Sequence, residues 1–198
     1  MPADTMKQLI PLLNQIRNCT LCEDHLPLGP RPVVQAASSA RILIIGQAPG
    51  TRVHASGVPW DDASGKRLRQ WMNVSDQTFY DASRIAIMPM GFCYPGKGKS
   101  GDLPPRPECA AAWHQQLLQC LPEIQLTLLI GQYAQKYYLN DAYSSLTERV
   151  RQWQHFPSGS FALPHPSPRN QLWLKKNPWF ELDVVPQLRQ RIELALNT

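Results

Sequence analysis

The sequence predicts an α/β fold: a single three-layer α/β/α domain over residues 1–198, with a central, mainly parallel four-stranded sheet. Two observations predict this class. Short apolar runs alternate along the chain with amphipathic segments, which is typical of strands joined by helical crossovers. A length of 198 residues with 43% hydrophobic residues also suits one core, and no internal repeat or linker divides the chain.

The first predicted elements are a helix, a strand and a turn. Residues 5–18 are predicted to be helical because apolar residues recur on one helical face, namely Met6, Leu9, Ile10, Leu13 and Ile16. A Pro-rich irregular segment follows at 26–39. Residues 41–45 form a short buried strand, which enters a tight turn at 46–50.

The middle of the chain is predicted to hold a second helix and a second strand. A loop runs to Asp62, and Ser64 is expected to be the N-cap of the helix. This helix carries the apolar residues Leu68, Trp71 and Met72. Residues 84–90 are predicted to be the second strand, and the glycines and prolines of 91–107 indicate a long loop.

The last third supplies the remaining elements. Residues 107–120 are predicted to be a helix, Leu126–Ile130 the third strand, and 132–139 another helix. A short fourth strand at 161–163 and a C-terminal helix at 186–196 complete the pattern. Sites in such folds gather at the carboxyl ends of the strands, so the segments that follow the first and fourth strands are expected to face one cleft.

Charge and hydropathy indicate which classes of binding partner to expect. The formal net charge of +5 and a pI near 9.1 suit a polyanion such as nucleic acid, although a basic protein without such a partner has the same composition. We expect no signal peptide, and the apolar runs are too short to span a bilayer. We therefore expect a cytoplasmic monomer without a membrane partner, in which disulfides are disfavoured and metal or cluster ligation by cysteines is favoured.

Two short motifs carry the chemistry. Gly46-Gln47-Ala48-Pro49-Gly50 follows the first strand as a tight turn whose backbone N–H groups can point at a ligand. It is not a P-loop, because no Gly-Lys-Ser/Thr follows. His165-Pro166-Ser167-Pro168-Arg169-Asn170 follows the fourth strand, and its two prolines hold a histidine and an arginine stiffly. Each motif alone is also compatible with an ordinary structural loop.

Taken in this order, the two motifs resemble the signature motifs of the uracil-DNA glycosylase superfamily. The first is similar to that of the iron–sulfur branches, and the second to that of the single-strand-selective monofunctional branch. The resemblance covers most of residues 19–170. It implies a DNA base-excision repair enzyme, a monofunctional glycosylase that flips uracil or a related deaminated base out of DNA and hydrolyses its bond to the sugar.

The resemblance also implies roles for base-contacting residues. His165 would donate a hydrogen bond to the base oxygen that gains negative charge as the bond breaks. Gly46, Gln47 and Ala48 would line the base pocket, with Gln47 contributing mainly backbone contacts. Trp60 stands where relatives carry a phenylalanine that stacks on the flipped base, although it is also compatible with a core tryptophan.

The catalytic carboxylate is assigned less directly. Several branches carry an acidic or amide residue at the position of Ala48, which itself cannot activate water. Asp62-Ala63-Ser64-Gly65 instead resembles an Asp-x-Ser-Gly segment of one iron–sulfur branch, which implies that Asp62 stabilises the cationic sugar. Asp61 is the neighbouring candidate. Either aspartate is also suited simply to cap the following helix.

One position departs from the family. Relatives place an asparagine at the end of the second strand, where its amide reads the uracil edge. Here the chain runs Met88-Pro89-Met90, with no side-chain amide. Either backbone groups read the base, or the preferred base is not strictly uracil.

The second motif also implies the contacts to DNA. Arg169 would enter the duplex to fill the space left by the flipped base or would bind a phosphate. Ser167, Pro168 and Asn170 would contact DNA beside it. Five further cations are candidates for phosphate contacts or for an ordinary solvated surface: Lys66, Arg67, Arg69, Lys175 and Lys176.

Four cysteines resemble the ligand pattern of the iron–sulfur branches. Cys19 and Cys22 form a Cys-x-x-Cys pair, and Cys93 and Cys109 flank a Pro- and Gly-rich stretch. The resemblance implies a structural [4Fe–4S] cluster, with zinc or unliganded buried thiols as alternatives. The fifth, Cys120, is predicted to lie in the core.

Three other functions stay open. Loss of the reading asparagine suits a glycosylase for another lesion, such as hypoxanthine, xanthine or mispaired thymine. Ala48 suits a non-catalytic DNA-binding relative that senses damage or redox state. The first turn alone is compatible with a nucleotide-binding enzyme that uses it as a phosphate cradle.

Overall fold

The structure is a computed structural model that describes residues 2–139, 141–143, 145–157 and 159–197, with the side chains of the first helix from Lys7 onwards. Met6, expected on the apolar face of that helix, therefore lies outside the described side chains. No helix in the described ranges is long and apolar enough to cross a membrane.

A four-stranded sheet forms the centre of the molecule. Its strands are β1 (Ile42–Ile45), β2 (Ile85–Ile87), β5 (Leu126–Ile130) and β6 (Ser160–Leu163), in the spatial order β2-β1-β5-β6. Every pair of neighbours is parallel. Parallel neighbours need crossover connections, and helices between the strands provide them, as the sequence predicts.

Helices cover both faces of this sheet. The α-helices are α1 (Pro2–Arg17), α2 (Thr51–Ser56), α3 (Ala63–Met72), α4 (Asp76–Tyr80), α5 (Pro107–Cys109), α6 (Gln115–Gln119), α7 (Gln132–Tyr138), α8 (Leu146–Arg151), α9 (Gln171–Lys176) and α10 (Val185–Leu196). Two π-helical segments extend α5 and precede α10, at Ala110–His114 and Phe180–Val184.

The core lies in two layers, one on each face of the sheet. Along β1, Ile42 and Ile44 belong to one apolar cluster, whereas Leu43 and Ile45 belong to the other. This alternation follows from the two-residue period of a strand, and both faces are buried because helices pack against each. The three-layer α/β/α class is confirmed.

Several predicted boundaries are wrong. Asp62, not Ser64, is the N-cap of α3, since its carboxylate accepts a hydrogen bond from the Gly65 N–H at 2.8 Å and Ser64 is buried inside the helix. The second strand is confined to Ile85–Ile87 and does not extend to residue 90. Ile10 is 59% exposed and does not share the buried face of α1.

Two segments predicted to be loops contain regular structure. Helix α2 forms within the loop before Asp62. A small antiparallel hairpin, β3 (Lys97–Gly98) and β4 (Gly101–Asp102), lies within the loop predicted at 91–107. The helix predicted at 107–120 is interrupted by its π-helical segment, and Cys120 at its end is buried in the core as predicted.

Candidate active site

A cleft of about 540 Å³ opens at the carboxyl ends of the sheet strands. Segments after all four strands contribute to its lining, through Gly46, Pro89, Gln132 and His165. This is the position at which parallel α/β sheets bind ligands, and the volume suits a small molecule or a single nucleotide base.

The cleft brings together most of the residues predicted for base and DNA contact. Those that line it are Gly46, Gln47, Ala48, Trp60, Asp62, His165, Ser167, Arg169 and Asn170. Asp61 and Pro168 are not among its lining residues. The two motifs therefore meet in space, although a large part of the chain separates them.

The two neighbouring aspartates differ in surroundings. Asp62 lines the cleft while one of its oxygens, Oδ1, caps α3. Asp61 instead approaches Arg52, with Oδ1 3.8 Å from the guanidinium of this exposed side chain. Of the two carboxylates, the Asp62 group is the one available to a ligand in the cleft, through its second oxygen.

His165 is held in place by its own motif. The Asn170 side-chain amide donates a hydrogen bond to the His165 carbonyl at 2.7 Å, which closes the segment into a compact loop. Burial lowers the pKa of His165, and the nearby Asp62 carboxylate partly opposes that shift. The imidazole is therefore neutral at pH 7 and carries one N–H donor.

Trp60 forms a wall of the cleft next to His165. The two ring centroids are 5.6 Å apart, and Trp60 also packs against the apolar core cluster. Two glycines permit its position: a Cβ on Gly65 would collide with the Trp60 carbonyl oxygen, and a Cβ on Gly46 would lie 2.7 Å from the indole ring. Trp60 itself adopts a left-handed φ of 58°. The half-buried side chain thus contacts the core and also lines the cleft.

The β3–β4 hairpin also borders the cleft. Ser100, Gly101 and Asp102 line the cleft, although the sequence analysis assigned no role to them. The only signal that could have found them is the Gly98-Lys99-Ser100-Gly101 stretch, in which two glycines flank a two-residue turn. Ser64 and Gln132 also line the cleft without having been predicted.

Backbone groups at the end of β2 are already engaged. The N–H groups of Met90 and Gly91 donate to the carbonyls of Gly46 and Gln47, at 2.9 and 3.0 Å. The Pro89 carbonyl lies 3.1 Å from His114 Nε2. Because that carbonyl can only accept, Nε2 carries the proton, and His114 Nδ1 accepts from the Tyr138 hydroxyl. These bonds fix the first turn against the β2 loop.

The candidate phosphate-binding cations separate into two groups. Arg69 is mostly buried and forms a 2.6 Å ion pair with the exposed Asp76 and a hydrogen bond to the Tyr80 hydroxyl, so its charge is already paired within the protein. Arg67 donates to the Ser167 carbonyl at 3.2 Å and thereby supports the second motif. Lys66, Lys175 and Lys176 are exposed.

A second, smaller cavity is bordered by Cys19, Cys22, Cys93 and Cys109. Three of the thiols are buried, and burial raises the pKa of Cys93 to about 11 and that of Cys109 to about 12. Trp113 borders the same cavity, and its buried Nε1–H has no partner among the described residues. Within the described ranges, no group of three or more His, Cys, Asp or Glu side chains is arranged to hold a metal ion.

Cys19, Cys22, Cys93 and Cys109 are the residues of this cavity that could hold a metal ion or a sulfur cluster. The unpartnered Trp113 N–H borders the same space, and so does Arg106, whose guanidinium is ion-paired with Glu108.

A family model described as the uracil DNA glycosylase superfamily matches residues 33–189, which is well over half of the chain. The matched range includes every residue that lines the cleft.

Proposed function

Because the chain belongs to the uracil DNA glycosylase superfamily, a family of DNA-repair hydrolases, we propose that it is a monofunctional glycosylase for uracil or a related deaminated base in DNA. The observation that carries the proposal is the convergence of Asp62, Trp60 and His165 on one cleft at the carboxyl edge of the sheet. Cleaving the bond between base and sugar makes the base anionic and the sugar cationic, and this cleft offers a group for each charge.

His165 is proposed to stabilise the departing base. A neutral imidazole donates one hydrogen bond to the base oxygen on which negative charge accumulates. Its loop is held by Asn170 and Arg67, so the donor is oriented before the substrate arrives. A donor that need not reorganise lowers the barrier more than one that must be ordered during the reaction.

Asp62 is proposed to stabilise the cationic sugar. One carboxylate oxygen accepts a hydrogen bond from the Gly65 N–H, so the helix N-terminus holds the carboxylate in place. The other oxygen remains available to the substrate. The hypothesis that Asp62 only caps α3 accounts for the first oxygen but not for its position in the cleft beside His165. Asp61 is the less suitable candidate because its side chain faces Arg52.

Trp60 is proposed to supply the aromatic surface for the flipped base, with Gly46, Gln47 and Ala48 forming the floor of the pocket. The base itself is not assigned, because the usual reading amide is missing. The N–H groups of Met90 and Gly91 are engaged with the first turn, which disfavours reading of the base edge by the backbone there. Three uncharged polar side chains without another assigned role line the cleft as candidate readers: Ser64, Ser100 and Gln132.

DNA is proposed to lie across the second motif. Arg169 is exposed, and Ser167 and Asn170 line the cleft beside it. The Arg169 guanidinium donates to the Ser100 carbonyl at 3.4 Å, so it rests on the hairpin rather than extending freely. Pro168 stiffens this segment and begins a short 3₁₀ turn. These residues suit contact with a phosphate or with the gap left by a flipped base.

We further propose a structural [4Fe–4S] cluster held by Cys19, Cys22, Cys93 and Cys109. Burial disfavours ionised thiolates without a cation, whereas iron would favour them. The cluster would tie the N-terminal Cys-x-x-Cys segment to both ends of the loop that carries the β3–β4 hairpin.

The test of function is cleavage of duplex and single-stranded oligonucleotides that carry one uracil, hypoxanthine, xanthine or mispaired thymine. We expect strand breaks only after alkali, because a monofunctional glycosylase leaves an intact backbone at an abasic site. Breaks without alkali would indicate lyase activity. Tight binding without cleavage of any substrate would favour the non-catalytic relative, which the alanine at position 48 makes the second candidate.

A further inference from the structure

The cleft contains a second carboxylate for which the function proposed above has no role. Asp102 lies at the end of the β3–β4 hairpin and lines the cleft. Its carboxylate faces the end of the first turn, since a Cβ built on Gly50 would lie 3.6 Å from its Oδ2. Among the described residues, no hydrogen bond or ion pair engages this carboxylate. A free carboxylate at a surface that must receive polyanionic DNA opposes binding, so its presence calls for a chemical reason.

Three contacts hold the hairpin that carries Asp102. The Leu103 carbonyl accepts from Gln47 Nε2 at 3.3 Å, which ties the hairpin to the first turn. The Leu103 N–H donates to Gly96 at 2.9 Å and closes the base of the hairpin. At its tip, the Ser100 carbonyl accepts from Arg169. Asp102 is exposed, but the backbone that carries it is fixed to both signature motifs.

The close approach of Arg169 depends on the residue at the hairpin tip. Gly101 has a φ of 147°, and a Cβ there would lie 2.6 Å from the Arg169 guanidinium. A side chain at this position would displace Arg169 or the hairpin. The sequence of the hairpin thus keeps Asp102 and Arg169 at one side of the cleft.

The two cleft carboxylates lie in different surroundings. Asp62 is close enough to His165 to raise the pKa of the imidazole against the effect of burial, whereas Asp102 is not among the groups that shift it. The Trp60 ring packs at Gly46, 5.6 Å from the His165 ring, whereas the Asp102 carboxylate lies beside Gly50. Trp60 and His165 are therefore at one end of the first turn, and Asp102 is at the other. In a hydrolytic displacement, the water must approach the sugar from the side away from the leaving base.

We propose that Asp102 orients the attacking water and accepts its proton, while Asp62 stabilises the charge on the sugar. This assignment rests on the function proposed above. The bond between the anomeric carbon and the base nitrogen breaks, and its electron pair leaves with the base beside His165. The water oxygen forms the new bond to the anomeric carbon, and its proton passes to the Asp102 carboxylate and then to solvent. The aspartate thereby supplies the carboxylate that Ala48 lacks.

The test compares Asp102→Asn with Asp183→Asn, an equal change of charge at an exposed helical position outside the cleft lining. Single-turnover cleavage of the best substrate should slow by roughly a hundredfold or more in Asp102→Asn, the usual size of a lost general base. DNA affinity should stay equal or increase, because a negative charge has left the DNA-facing surface. Asp183→Asn should match the parent in both measurements.

Two results would overturn the assignment. One is cleavage by Asp102→Asn at the parent rate; the other is a slower rate with an equal loss of affinity, which would indicate a distorted hairpin. If the parent protein cleaves none of the four lesions, the proposed function and this inference fail together. Parent cleavage alongside an unimpaired Asp102→Asn variant overturns the inference alone.

Discussion

At the scale of single residues, His165 and Asp62 are proposed to act on opposite charges that exist only near the transition state. Replacing either should therefore lower the rate of the chemical step more than the affinity for DNA. A lost preorganised donor costs about 3–4 kcal/mol, so His165→Ala should slow single-turnover cleavage by roughly a hundredfold or more. Asp62→Asn keeps the shape and removes the charge, so it isolates the electrostatic contribution.

The neighbouring aspartate provides the matched control for this pair. Asp61→Asn should retain the parent rate, because Asp61 does not line the cleft and faces Arg52. If Asp61→Asn cleaves much more slowly than the parent and Asp62→Asn cleaves normally, then Asp61 rather than Asp62 stabilises the cationic sugar. If His165→Ala, Asp61→Asn and Asp62→Asn all cleave at the parent rate, the proposed site is wrong.

At the scale of elements, a buried histidine joins the β2 loop to two helical segments. His114 donates to the Pro89 carbonyl and accepts from Tyr138 in α7. Burial lowers its pKa from 6.5 to about 4, while the bond to Pro89 acts in the opposite direction. Because Pro89 lines the cleft, this histidine positions cleft backbone without contacting a ligand.

This arrangement predicts a loss of stability on acidification. Between pH 6.5 and about 4 the unfolded state binds a proton at this imidazole and the folded state does not, so the free energy of unfolding falls as pH falls. Through this group alone, the free energy of unfolding falls by about 3 kcal/mol over this pH range. Below the pKa of the folded state, His114 causes no further loss of stability. Chemical denaturation at a series of pH values measures it.

The variant His114→Gln separates this effect from other titrations. Burial also lowers the pKa of His54 and His165, so the parent curve includes their contributions in the same direction. The variant should be less stable at pH 7, and its stability should fall less steeply between pH 6.5 and 4. Parallel curves for parent and variant would contradict the assignment to His114.

Elements differ in how far sequence alone predicts them. The four sheet strands follow from apolar runs, because burial on both faces leaves an uninterrupted pattern. The β3–β4 hairpin has no such pattern: its strands are two residues long, half glycine, and held by Gln47 and Arg169 from distant parts of the chain. The N-cap of α3 was misplaced because Asp62 and Ser64 are both good caps, and only packing decides between them.

The candidate site, too, was predictable only where its residues follow directly from the topology of the sheet. Gly46–Gly50 and His165–Asn170 follow strands, so the topology of a parallel sheet brings them together. Asp102 was missed because its place in the cleft depends on tertiary contacts that no local pattern records. The ion pair of Arg69 with Asp76 was missed for the same reason, since an arginine beside a site is equally compatible with DNA contact.

At the scale of the whole molecule, one segment connects the cysteine cavity to the cleft. The stretch from Cys93 to Cys109 begins and ends at the cavity, and its middle carries the hairpin that contacts Gln47 and Arg169. Four cysteines that hold a cluster would fix both ends of this stretch. Loss of the cluster should therefore loosen the hairpin before it affects the distant sheet, because local stability follows local contacts.

The prediction is that protein purified without oxygen contains iron and absorbs in the visible, and that Cys109→Ser lowers both. Cys120→Ser is the matched control, because Cys120 is equally buried but lies outside the cavity.

In Cys109→Ser, trypsin should cut faster after Lys97 and Lys99, the exposed lysines of the hairpin. Zinc without iron in the parent protein would reject the cluster but keep the ligand set, whereas the absence of both metals would reject ligation. Iron in the parent protein with unchanged trypsin sensitivity in Cys109→Ser would retain the cluster and show that the cleft contacts alone hold the hairpin.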